Sequence, residues 1–235
     1  MSELNSTFDT TTLVVNDMDC LSNAIESIGL RPPYSTIAII GGVNIDDHYV
    51  SGLKALFNVI ALLAQSHQLA IVDGGTNYGI MRLMGEARAS IDGTFPLIGV
   101  LPAAKVTGNQ TNVELESHHT HILLCPGEEW GDESPWLASV ASVLSEKKPS
   151  ITILANGGDV AWLDVACSLA EGRAVVTVAG TGRTADILAE GVRGGLENQR
   201  LALAFSALGL LHVLDVNSDR DFVGQRLKVL LKLEV

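Results

Sequence analysis

Four glycine-rich stretches each follow a short apolar run, and their residue types suit one chemistry, the holding of an anion. Ile39-Ile40 leads into Gly41-Gly42, and Ile71-Val72-Asp73 into Gly74-Gly75-Thr76-Asn77-Tyr78-Gly79. Leu154-Ala155 leads into Asn156-Gly157-Gly158, and Val178-Ala179 into Gly180-Thr181-Gly182-Arg183. Glycine lets a backbone approach an anion closely. The unpaired N–H groups of a following helix then point at it, aided by the positive end of the dipole. One tight strand-to-helix turn needs glycine whether or not anything binds. Four at one sheet edge, one of them carrying Arg183, favour a ligand site, because arginine supplies a planar, permanently charged fork for phosphate or carboxylate. The expected arrangement puts one phosphate on Arg183 and the amides after Gly180 and Gly182, and the other end of the ligand on Gly74–Asn77. Asp186 is a candidate for a ribose contact, with simple stabilisation by the helix dipole as the competing explanation.

Other constellations carry less. Gly180-Thr181-Gly182-Arg183-Thr184-Ala185 fits the dinucleotide pattern G-x-G-x-x-G/A, but Glu197, the acid about twenty residues on, lies in a stretch without strand character. A nicotinamide dehydrogenase is therefore disfavoured. His118, His119 and His121 have no carboxylate or cysteine at ligand spacing, so a structural or pocket-lining role is expected and no metal. Glu128-Glu129-Trp130-Gly131-Asp132-Glu133 reads as a solvated acidic loop whose Trp130 could stack on a base. The pattern G-x-S-x-G and the phosphate-binding loop G-x-x-x-x-G-K-S/T are both missing, which disfavours an α/β-hydrolase and a P-loop NTPase. No catalytic residue and no cofactor is assigned.

The elements that must position these turns are legible in the apolar pattern. The runs Ile37–Ile40, Leu69–Val72, Leu97–Leu101, His121–Cys125, Ile151–Leu154, Ala174–Val178 and Leu210–Val213 are short and almost continuously apolar. Such runs suit strands buried on both faces of a parallel sheet. Thr10–Val15 could add an edge strand. Helical stripes lie between the runs: Leu53 to Ala64; Leu137 to Leu144 behind Ser134-Pro135; Val160, Leu163, Ala166 and Ala170; and Val223 to Leu231 behind Ser218-x-x-Asp221. Alternating strands and helices imply an α/β, Rossmann-like, doubly wound and mostly parallel sheet with helices on both faces.

At 235 residues with 47% hydrophobic content, residues 1–235 are expected to form one domain, with 1–9 disordered. Lysine and arginine number 15 against 27 acids, a net charge of −12 that would repel a phosphate backbone. Nucleic acid is therefore excluded as a partner. No membrane span or secretory leader is read, and three dispersed cysteines suit a reduced, cytoplasmic setting. Apolar residues from Leu201 to Leu211 suggest a homo-oligomer, a dimer being the commonest closed form.

Taken in order, several of these motifs resemble a known family. Ile40-Gly41-Gly42, Val72 to Met81 with Gly85-Glu86-Ala87, His119 to Leu123, Asn156-Gly157-Gly158 and Gly180 to Leu188 are similar to the N-terminal cytosolic region of TRPM channels. Trp130-Gly131-Asp132-Glu133-Ser134-Pro135-Trp136 resembles the free-standing prokaryotic form, the LSDAT or SLOG-in-TRPM domain. The resemblance covers about residues 36 to 192. It implies a SLOG fold related to the LOG proteins and a sensor of nucleotide-derived ligands such as ADP-ribose or an NAD metabolite. LOG enzymes instead hydrolyse the N-glycosidic bond of nucleoside 5'-monophosphates with a Pro-Gly-Gly-x-Gly-Thr-x-x-Glu motif and an arginine upstream. In this chain Ala155 to Asp164 lacks the proline, the third glycine and the threonine, and Asp164 stands where the glutamate would be. The helix pattern from Pro135 to Lys147 holds no arginine. Because ~1 Å of misplacement can cost ~100-fold in rate, a sensor is expected ahead of a phosphoribohydrolase.

Overall fold

The computed structural model describes residues 10–107, 113–194, 204–205 and 208–234. The segment 1–9, Glu197, and the apolar Leu201 and Leu203 lie outside the described residues. Eight strands form one parallel sheet in the order β1-β5-β4-β3-β2-β6-β7-β8. They are β1 (Thr11–Val14), β2 (Thr36–Gly41), β3 (Ala70–Asp73), β4 (Leu97–Pro102), β5 (His121–Cys125), β6 (Ser150–Ala155), β7 (Ala174–Ala179) and β8 (Leu211–Asp215). The apolar runs of the sequence thus match the strands to within a residue or two. The edge position of β1 follows its mostly exposed side chains. β8, at the opposite edge, is half-buried, and the six strands between are covered on both faces, which is why they read as nearly unbroken apolar segments.

The helices are α1 (Leu21–Ser27), α2 (Asp47–His67), α3 (Gly79–Ser90), α4 (Ala103–Thr107), α5 (Ser134–Ser145), α6 (Asp159–Ala170), α7 (Arg183–Val192) and α8 (Arg220–Leu230). Buried residues of α2, α3 and α8 join one face of the sheet in a common core, and those of α1, α5, α6 and α7 join the other. By length and composition α2 could cross a membrane. Its stripe Leu53, Leu56, Phe57, Ile60 and Leu63 is instead buried on the sheet, as a core helix requires.

Three local expectations are corrected. In α6 the buried residues are Ala161, Val165, Ser168 and Leu169, and Leu163 is exposed. The small side chains face the sheet closely, and the bulkier Val160 and Leu163 turn toward Gly131. Ser134 is not the cap of α5: Glu133 stands there, and the Ser134 hydroxyl is used elsewhere. The cap of α8 is Asp219, whose carboxylate accepts the N–H groups of Asp221 and Phe222, and not Ser218.

Strand order reverses at β2, which has β3 on one side and β6 on the other. In an open α/β sheet the crevice beyond the strand ends at such a point is where ligands bind.

Candidate functional site

A cavity of about 650 Å³ opens at that point. Of the residues expected to bind, Gly41, Gly74, Thr76, Gly158 and Arg183 line it. Its floor is apolar, with Ile39, Ile40, Met81, Leu137 and Ala161 among the contributors. That mixture of an apolar body with a few placed polar groups is the usual make-up of a small-molecule site.

Several of the glycines, Gly41 among them, are required by packing. Gly79 has φ +50°, and a Cβ there would sit 2.0 Å from the Gly42 carbonyl oxygen, which accepts the Ile80 N–H. A Cβ on Gly41 would meet the Ala155 carbonyl at 1.9 Å. At these places glycine is demanded by one loop lying on the next. Gly75 likewise packs on Gly99, and Gly157 on Ala161. Asn77 and Gly79 border a separate, smaller hollow of about 270 Å³, and the Asn77 amide donates to Glu114 at 2.9 Å. Asn156 and Thr181 are buried and hold each other: the Asn156 amide donates to the Thr181 carbonyl at 2.6 Å, and the Asn156 N–H to the Thr181 hydroxyl at 2.8 Å.

The turn before α7 differs most from expectation. The Asp186 carboxylate accepts the N–H groups of Gly180 at 2.6 Å, Thr181 at 3.3 Å and Gly182 at 3.0 Å. The amides thought to await a phosphate are thus largely satisfied from within, and Asp186 has a structural partner in place of a ribose. Arg183 stays available. It is exposed, and its guanidinium has no partner among the described residues while lying 3.0 Å from where a Gly158 Cβ would stand. Its φ of +55° is uncommon for a residue with a side chain. Strain of this kind collects at binding sites, and here it accompanies a guanidinium laid across Gly158.

Thr76 lines the cavity but is only 3% exposed, and its hydroxyl is buried without a hydrogen-bond partner among the described residues. Two acids that the sequence reading left as a solvated loop residue and a displaced catalytic residue, Glu133 and Asp164, also line the wall. Burial raises both. Asp164 reaches about 7, burial being assisted by the nearby Glu133 charge and opposed by the Ser134 hydroxyl, which donates to it. Glu133 accepts the Gly131 N–H at 2.7 Å. Trp130 is at the same wall, 44% exposed, with Lys105 5.7 Å from its ring centre. The signal for Glu133 was its position after β5, at the same sheet edge as the glycine turns.

Beneath the Gly74–Thr76 turn lies a buried ionic cluster. His119 bonds Asp73 through Nε2 at 2.7 Å and Glu116 through Nδ1 at 2.9 Å. Asp73 also accepts the Gly75 N–H at 2.7 Å. Burial lowers the pKa of His119, but the two carboxylates outweigh it and raise the value to about 9, so the ring is an imidazolium donating to both. Burial raises Glu116, yet hydrogen bonds from His119 and His118 hold it below the usual range. Glu116 is thus the carboxylate that sequence spacing had not assigned to the histidines. His121 is apart, with Nε2–H donating to the Ile28 carbonyl at 3.2 Å. Among the described residues no group of three or more His, Cys, Asp or Glu side chains is arranged to hold a metal ion.

Comparison with known proteins adds a family and a fold. A family model described as SLOG in TRPM, prokaryote, matches residues 34–223. No curated protein sequence matches the chain. Among solved structures the chain is similar to TM1055, a structural-genomics target, with a TM-score of 0.56, 16% identity, and coverage of 85% of this chain and 99% of that one. It is similar as well to the molybdenum cofactor carrier protein of Chlamydomonas reinhardtii, with a TM-score of 0.56, 19% identity, and coverage of 86% and 99%. At such identities the likeness to both shows the shared fold.

Proposed function

Because the chain belongs to the prokaryotic SLOG-in-TRPM family, we propose that it is a cytoplasmic module that binds and senses a nucleotide-derived ligand of the ADP-ribose or NAD-metabolite type. The observation that carries this reading is Arg183, an unpaired guanidinium beside Gly158 on the wall of an apolar cavity at the sheet's reversal point. The cavity has room for a ligand of nucleotide size. We also propose that signalling runs through a homodimer, since Phe205 is partly buried near Trp162 and Leu208 is 57% exposed.

Hydrolysis of a nucleoside 5'-monophosphate is the second reading. It is favoured by the unlike carboxyls Glu133 and Asp164 on the cavity wall, since paired acids can divide acid and base roles. Calorimetry with ADP-ribose, cyclic ADP-ribose, NAD, AMP and ATP separates the two. Nanomolar to micromolar binding with intact ligand is expected. Release of free base would move the assignment to the hydrolase, and no binding by any of them would overturn both.

A further inference from the structure

The charged residues of the cavity wall fall into two groups, Arg183 with Asp159 at the start of α6 and Asp164 with Glu133 elsewhere, and only the first holds a cation for a phosphate. Arg183 stands at Gly158, the cap of α6, and Asp164 is six residues further along that helix. At 1.5 Å per residue the two positions are about 9 Å apart along its axis. A carboxylate there would repel a phosphate, and Glu133 beside it doubles the effect. Asp164 takes the Ser134 hydroxyl on Oδ1, and Oδ2 has no partner among the described residues. Trp130 adds an exposed aromatic face.

Resting on the nucleotide reading above, we propose that Asp164, backed by Glu133 and Ser134 and flanked by Trp130, is the subsite for the ligand's base, and that it takes an adenine-type edge. Such an edge presents a ring-nitrogen acceptor beside an amino donor. The 9 Å estimated along α6 is comparable to the reach of a nucleoside monophosphate from phosphate to amino edge. Charge selects the edge. Two carboxyls on one poorly hydrated wall retain a proton near neutrality, as burial and Glu133 raise Asp164 to about 7. A carboxylic acid offers a donor and an acceptor side by side, which complements adenine. A guanine-type edge has two donors and would need the ionised form. The other groups facing this pair are Cys167, which feels Asp164 from the same helix, Asp132 and Lys105, which act on Glu133 with opposite signs, Cys125, which feels Glu133, and Asp159 and Arg183 on the shared wall.

The test is calorimetry on the full chain with AMP and ribose 5-phosphate. The two ligands share a phosphate, so its own titration cancels in their ratio. Wild type is expected to bind AMP about tenfold or more tightly than ribose 5-phosphate near pH 6, the ratio shrinking several-fold near pH 8. Asp164→Ala should bring AMP down to the level of ribose 5-phosphate. Asp164→Asn, whose amide offers the same donor and acceptor, should keep the ratio and lose its pH dependence. An AMP preference that survives Asp164→Ala, or that wild type lacks at both pH values, overturns the base subsite. Failure of AMP, ribose 5-phosphate and ADP-ribose alike to bind wild type overturns the nucleotide reading itself.

Discussion

Asp186 Oδ1 accepts the Gly180 N–H at 2.6 Å, so the anion that fills the turn before α7 is the protein's own. With Gly182 bound by the second carboxylate oxygen at 3.0 Å, the turn is closed around a side chain. On the proposed reading a phosphate falls to Arg183 and to loops across the cavity.

Asp186→Ala should consequently loosen the start of α7. Charge-assisted hydrogen bonds are worth ~1.5–3 kcal/mol each in favourable settings, and partial exposure places this group at the lower end, so a loss of about 1–2 kcal/mol is expected in urea unfolding. Stability equal to wild type would show that the turn holds itself.

The His119 cluster makes a prediction in pH. The folded value of about 9 lies above the ordinary 6.5, so the stabilisation from the imidazolium is complete below 6.5 and is lost as pH rises through about 9. Unfolding free energy should fall between those values. His119→Gln should abolish that slope and, by leaving buried carboxylates unpaired, cost about 3–5 kcal/mol. A wild-type profile flat across that window would contradict the assignment.

Asp164 follows the same sign in a more acidic window. Its folded value of about 7 exceeds the ordinary 3.8, so stability associated with its protonated form is full below 3.8 and is lost as pH rises through about 7. Relative to wild type, Asp164→Asn should gain thermal stability on going from acid to mildly alkaline solution. An unchanged difference in melting temperature across that range would show that Asp164 is ionised throughout.

How far the sequence could be read follows from what each signal reports. Strands such as β5 and β6 were legible to within a residue or two because burial on both faces leaves no polar interruption. Arg183 and Thr76 were legible because a glycine turn at a strand end has a known position at the sheet edge. Asp186 was not. Whether a first-turn carboxylate serves a ligand or its own loop depends on the path of Gly180–Gly182, which no spacing encodes. Glu133 was missed because its loop is acidic and looks solvated, whereas the residue is only 9% exposed. The stripe of α6 was displaced because alanine and serine mark its packed side, and ranking by hydrophobicity selects valine and leucine instead.

Self-association has its own check. Light scattering at micromolar concentration should give about twice the chain mass of 24.8 kDa. A mass of one chain, with and without ADP-ribose, would rule out the dimer.

The most direct measurement is the affinity of Arg183→Ala for ADP-ribose beside that of wild type. Arg183 is exposed and makes no hydrogen bond or ion pair within the described protein, so its removal should leave folding intact by circular dichroism. Loss of a charge-assisted phosphate contact should weaken binding roughly ten- to a hundred-fold. A folded Arg183→Ala that binds ADP-ribose as tightly as wild type would contradict the account.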